Sequence, residues 1–204
     1  MLVFVATTSA VLADEPPPAG VPDVAPAAEV AAETPPQVFI TEVDADQVLQ
    51  SFYGWVLAHP GAGLPAAAER EALEPLLSAQ LNSLLDDAAV ADAACRAAAQ
   101  PGEKPEILEG DLFVGNFEGA TEVAYGDAAS SDGLVTVAAN LVYVDERFPK
   151  GGRNRTRAWR DDVLLRLDGA AWTIADVSLG QRQSLVRLLG EYVTVAAQDC
   201  RQPP

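Results

Sequence analysis

The apolar positions of this chain change period once, and the change divides it into a helical part and a strand part. Val48, Leu49, Phe52, Trp55 and Val56 recur at the three-and-four spacing of one helix face. Asp44, with Gln47 three residues on, resembles an N-cap and capping box. His59-Pro60-Gly61 ends this helix, because proline disfavours helical geometry in the residue before it. Pro65 is placed to open a second helix, and Pro75 breaks or restarts it. Leu77, Leu81, Leu84 and Leu85 form a further apolar stripe. The alanine-rich stretch from Ala88 to Ala99 prolongs that helix or forms another, stopped by Pro101-Gly102.

After Glu109 the period becomes two. Thr121 to Asp127 predicts a short strand, Ser130-Ser131-Asp132-Gly133 a hairpin turn, and Leu134 to Asp145 a long Val-rich strand. Phe148 to Asn154 reads as loop. From Thr156 to Leu167 the residues Trp159, Val163, Leu165 and Leu167 share one face, interrupted by Asp161. Arg160, Asp162 and Arg166 share the other. Asp168-Gly169 is a second tight turn, Ala171 to Leu179 the last strand, and Gln181 to Ala197 a closing helix. Helices first and a meander afterwards predict an α+β domain over residues 40–180. Its N-terminal helices pack on the concave face of a curved, cone-like antiparallel sheet of roughly four to six strands. A C-terminal helix and tail fill residues 181–204.

Ahead of the domain the composition differs. Residues 1–13, MLVFVATTSAVLA, read as a secretory signal: the apolar run is far shorter than the ~20 residues of a bilayer span, and small residues precede a cleavage point at Ala13. No Lys or Arg precedes that run, and the first basic residue is Arg70, which leaves open whether Met1 is the true start. Residues 14–39 read as a disordered tether, because residues 14–37 hold seven of the fifteen prolines, five acids and no base. No later segment is apolar enough to span a membrane. The formal charge of −17 disfavours nucleic acid and anionic lipid as partners. The two cysteines, Cys95 and Cys200, fit an oxidising, periplasmic or extracellular compartment; a disulfide between them and two free thiols both remain open. With one histidine, His59, and no Cys/His cluster, neither a zinc site nor any other cofactor is expected.

Four stretches, in order, resemble the nuclear transport factor 2-like superfamily, and within it an exported bacterial branch, domain of unknown function 3828. They are Phe52-Tyr53-Gly54-Trp55, Leu77 to Leu81 with Leu84-Leu85, Gly110-Asp111-Leu112-Phe113, and Asp168 to Val177 with Trp172, Ile174 and Asp176. The match spans about residues 45–180 and departs at Leu112, where the branch has proline. The resemblance implies a cone-shaped α+β fold and export, but no mechanism. It also implies kinship with isomerases and dehydratases, whose apolar cone holds a carboxylate and a tyrosine.

Such chemistry needs a general base and a donor for a developing oxyanion. Tyr53 is the candidate donor, and Asp111, Asp161 or Asp176 the candidate carboxylate. Each has a structural reading too: Tyr53 and Trp55 as core aromatics, Asp111 as a turn residue accepting backbone N–H bonds, and Asp176 as half of an ion pair with Arg160 or Arg166. Asp176 shares strand parity with Trp172 and Ile174, so an inward carboxylate there needs a partner. His59 suits a helix C-terminus. Lys150, Arg153, Arg155, Arg157 and Arg160 form one basic cluster, which either docks an acidic partner or a polyanion, or is a solvated loop or an internally paired set. The sequence therefore favours a non-enzymatic domain that binds a small apolar ligand, with Trp55, Trp159 and Trp172 as candidate contacts, or an envelope protein. A small isomerase- or dehydratase-like enzyme and an acidic immunity or inhibitor protein are the alternatives. The oligomeric state is not legible.

Overall fold

The computed structural model describes residues 42–200 except 62, 103, 106, 181 and 182, with side chains from residue 45. The expected signal and tether lie outside the described residues. The described residues form one compact unit.

Helix α1 runs Glu42–Ala58, α2 Ala67–Leu73 and α3 Ala79–Ala98, with a 3-10 turn at Glu74–Leu76 between the last two. The strands are β1 Glu122–Ser131, β2 Leu134–Val144, β3 Thr156–Asp168, β4 Ala171–Leu179 and the short β5 Gln183–Ser184, followed by α4 Leu185–Asp199. The sheet is an antiparallel meander in sequential order, curved and unclosed. The expected α+β class and strand range are therefore realised. Among the described residues three α-helices precede the sheet and one follows it, as expected, and α1, α3 and α4 each contact β4.

Of the predicted α1 stripe, Leu49, Phe52 and Val56 are nearly inaccessible and Val48 and Trp55 are half-buried, while Tyr53, outside that stripe, is fully buried beside them. The helix begins at Glu42, so Asp44 lies inside it and is not its N-cap. Neither proline nor glycine stands at 42 or 43 to stop the turn from propagating. At the other end His59 Nδ1 donates to the Trp55 carbonyl at 2.8 Å, and its ring stacks on Trp55, so it serves the helix terminus as expected. Pro65 precedes the N-cap of α2 instead of opening the helix. Ala66 is the N-cap, and its N–H is met by the Glu69 carboxylate at 2.6 Å. Pro75 sits in the 3-10 turn.

The entry to α3 is tied to the sheet. Leu77 bridges Ile174, the Ser78 N–H donates to the Ile174 carbonyl at 2.9 Å, and Ser78 Oγ accepts from Leu81 N. The alanine-rich stretch does prolong this helix. Leu81, Leu85, Ala88, Ala91 and Cys95 are buried along it, and the small side chains let α4 approach closely. A disulfide joins Cys95 to Cys200.

Three strand-region boundaries differ from expectation. β1 runs on to Ser131, and the turn contracts to Asp132-Gly133, both with positive φ (52° and 76°), the geometry of a two-residue hairpin. The closing helix starts at Leu185, not Gln181, because Gln183 and Ser184 first pair with β4, and Ser184 Oγ then accepts from Arg187 N as the N-cap. β4 carries a bulge: Leu164 faces Asp176 but Leu165 faces Ile174, which leaves Ala175 unpaired. Ile174 and Val177 therefore both point into the core.

Candidate functional site

The described residues between 99 and 121 form no helix or strand, yet Leu112, Phe113, Val114 and Ala120 are buried. A buried irregular segment must place its backbone N–H groups somewhere, and two of the predicted carboxylates receive them. Asp111 Oδ1 accepts from Phe113 N at 3.0 Å and Oδ2 from Gly61 N at 3.4 Å, which fastens the segment to the end of α1. Asp161 is fully buried on β3. Its Oδ2 accepts from Gly115 N at 2.9 Å and from Trp159 Nε1 at 3.3 Å, and its Oδ1 from Gly180 N. Asp161 thus clamps the irregular segment to the end of β4.

Burial pushes the pKa of both carboxyls up, against their backbone donors, which pull it down. The charge of Asp161 adds to the rise at Asp111. Tyr53 belongs to the same neighbourhood. Its ring meets Phe52 edge-on at 5.1 Å and lies 6.0 Å from Tyr125, and its hydroxyl is sealed from solvent without a hydrogen-bond partner. Burial, and then the charges of Asp161, Tyr125 and Asp111, hold that hydroxyl well above the ordinary tyrosine range.

Asp176 is elsewhere. The β4 bulge turns it off the Trp172 and Ile174 face, which corrects the parity expected from the sequence. Its partners are not arginines. Asp176 Oδ1 accepts from Val177 N at 2.8 Å and from Val186 N at 3.0 Å, an anion at the start of α4. Arg160 instead pairs with Asp162 at 2.6 Å, and Arg166 with Asp168 at 2.9 Å. The rest of the basic cluster is partly consumed within the molecule: Arg157 approaches Glu118 at 3.6 Å and Arg155 donates to the Phe148 carbonyl.

The three tryptophans are not gathered in one place. Trp55 is half-buried against Phe113, and Trp159 is tied to Asp161. Trp172 borders a cleft of about 460 Å³ between the start of α1 and the β1–β2 hairpin. Val135, Val137 and Trp172 supply its apolar floor, and Asp46, Ser130 and Asp132 its polar rim. Tyr53, Asp111, Asp161 and Asp176 are not among its walls. No family model, curated protein or solved structure matches this chain.

Sequence reasoning singled out Trp172 but missed Asp46, Ser130 and Asp132 as a rim. The hairpin signal at Asp132-Gly133 was legible, but not that α1 begins beside it. Among the described residues no helix is long and apolar enough to cross a membrane. The disulfide fits an oxidising compartment.

Proposed function

We propose that the protein is an exported, non-enzymatic binding domain of the nuclear transport factor 2-like kind, which takes a small apolar ligand in the cleft at its hairpin end. The observation that carries this reading is the separation of two features. The hollow of about 460 Å³ is floored by Val135, Val137 and Trp172, a size and lining suited to a small molecule. The desolvated carboxylates Asp111 and Asp161 lie outside its walls and are engaged by backbone N–H groups. A general-base enzyme needs carboxylate and hydroxyl to face the substrate together. The kinship is supported by the helix-then-meander order and by the final strand with Trp172, Ile174 and Asp176. Export is supported by the disulfide.

The test is a titration with a neutral fluorophore, N-phenyl-1-naphthylamine. The wild-type protein is expected to bind it saturably at one site per chain. Ala128, exposed on β1 at the cleft wall, tolerates a larger side chain, so Ala128→Trp is expected to fill the mouth and weaken binding at least tenfold with the fold intact by circular dichroism. Unsaturable binding, or binding indifferent to Ala128→Trp, removes the cleft as the ligand site.

A further inference from the structure

We infer that the ligand of this cleft is a cationic amphiphile, a hydrocarbon or aromatic body carrying an ammonium or guanidinium head; this rests on the cleft being the binding site proposed above. Every charged residue on its walls is an acid. Asp46 stands on α1 and Asp132 in the β1–β2 turn, Ser130 and Ser131 also line the walls, and no base is among the described lining residues. Ser131 Oγ donates to Asp132 Oδ2 at 3.1 Å, which orients that carboxylate without neutralising it. The charge of Asp46 is also felt by the Tyr125 hydroxyl, raised first by burial and then by this neighbour.

The cations of the sheet are placed elsewhere. Arg166, in register with Leu134, lies on the opposite face of the sheet from Val135 and Val137 and is paired with Asp168 at 2.9 Å. Arg160, in register with Asn140 in the middle of β2, lies on that same opposite face and is paired with Asp162 at 2.6 Å, while Lys150 to Arg157 are reached at the far end of β2, whose eleven residues extend about 35 Å at ~3.3 Å per residue. That distance is several screening lengths at physiological salt. An anion entering the cleft meets two carboxylates, and a neutral molecule gains only the floor. An amphiphilic cation gains the floor for its body and the rim for its head, in a field already favoured by the net charge of −17.

The experiment uses three probes with one naphthyl-alkyl body, ending in trimethylammonium, alcohol or carboxylate, titrated at 0.15 M salt and followed by probe emission. Wild type is compared with the Asp46→Asn/Asp132→Asn double variant and with Ala128→Trp. Asparagine adopts the left-handed backbone of residue 132 readily, so the turn is preserved. The ammonium probe is expected to bind about fivefold or more tighter than the alcohol, and the carboxylate more weakly than either. In the double variant the ratio of ammonium to alcohol should fall to about one, with the alcohol unchanged. Equal affinities in wild type overturn the inference alone, as does a preference that survives in the double variant and so belongs to the overall field. An alcohol probe that does not bind, or that ignores Ala128→Trp, overturns the cleft itself and this inference with it.

Discussion

A tyrosine hydroxyl sealed in a core without a partner is a standing cost, because it gives up its hydrogen bonds to water and gains none. Tyr53 is in that position beside two desolvated carboxyls. Tyr53→Phe is therefore expected to leave stability within about 1 kcal/mol of wild type, on the stabilising side, as read by urea denaturation; a clear loss would reveal a partner for the hydroxyl. The carboxyls of Asp111 and Asp161 have the opposite linkage from an ordinary surface aspartate. Their pKa is higher in the folded chain than in the unfolded one, so the folded state binds their protons more tightly. Their contribution to stability is full below the unfolded value of ~3.9 and is lost as pH rises through the folded pKa. Asp145, held down to about 2 by Arg147, and Asp168, held down by Arg166, act the other way and lose stability as pH falls below that range. Side-chain carbon NMR should show Asp111 and Asp161 titrating above ~3.9 and Asp145 well below it; a normal titration of Asp161 would contradict its desolvation. These side chains were legible as candidates because an aspartate within an apolar strand face, or beside a glycine turn, stands out from its pattern. The turn role of Asp111 was legible too, since it accepts from Phe113 N two residues on, but the clamp at Asp161 was not, because the N–H groups it satisfies come from residues 46 and 19 positions away.

At the scale of elements, the irregular stretch through residues 110–120 is the least regular part of the fold and among the most tightly constrained. A Cβ added at Gly115 would lie 2.4 Å from the backbone nitrogen of Gly180 and 2.8 Å from Asp161 Oδ1. Backbone cannot swing aside as a side-chain tip can, so Gly115→Ala is expected to cost about 2–3 kcal/mol, measured as a drop in unfolding midpoint. Gly133→Ala is not an equivalent control, since its strain comes from positive φ rather than from contact. The helices and strands themselves follow from periodicity: the α1 stripe, the β3 alternation and the Ala171–Leu179 strand are where the pattern puts them. The β4 bulge is not in the pattern. Alternation is a rule of period two, and one unpaired residue inverts every position after it, which is why Asp176 and Val177 exchange the faces the sequence gives them.

For the whole molecule, the Cys95–Cys200 disulfide joins the last turns of α3 and α4 over a separation of 105 residues. Closing so long a loop removes much of the freedom of the unfolded chain, so reduction, or Cys95→Ser with Cys200→Ser, is expected to lower stability by about 4–5 kcal/mol in the chain-entropy description. Denaturation with and without a reductant checks this; a change below about 1 kcal/mol would mean that α4 is held by packing alone. Charge is also unevenly shared at this scale. Of the thirteen basic residues, six fall between Arg147 and Arg160, Arg160 midway along β2 and the other five toward or past the end of β2 opposite the acidic cleft.

The sequence by itself determined the class of the fold, the order of its elements and the faces they bury, because helical and strand periods and turn residues act over a few neighbours. It supplied the two sulfurs but not their bond. The tertiary structure decided which carboxylates became clamps, which tryptophan met a hollow, and that Asp46 and Asp132 share a rim. Each of these depends on backbone from distant parts of the chain arriving within hydrogen-bond or contact distance, and such meetings are set by how the helices settle on a bent and bulged sheet, not by any local pattern.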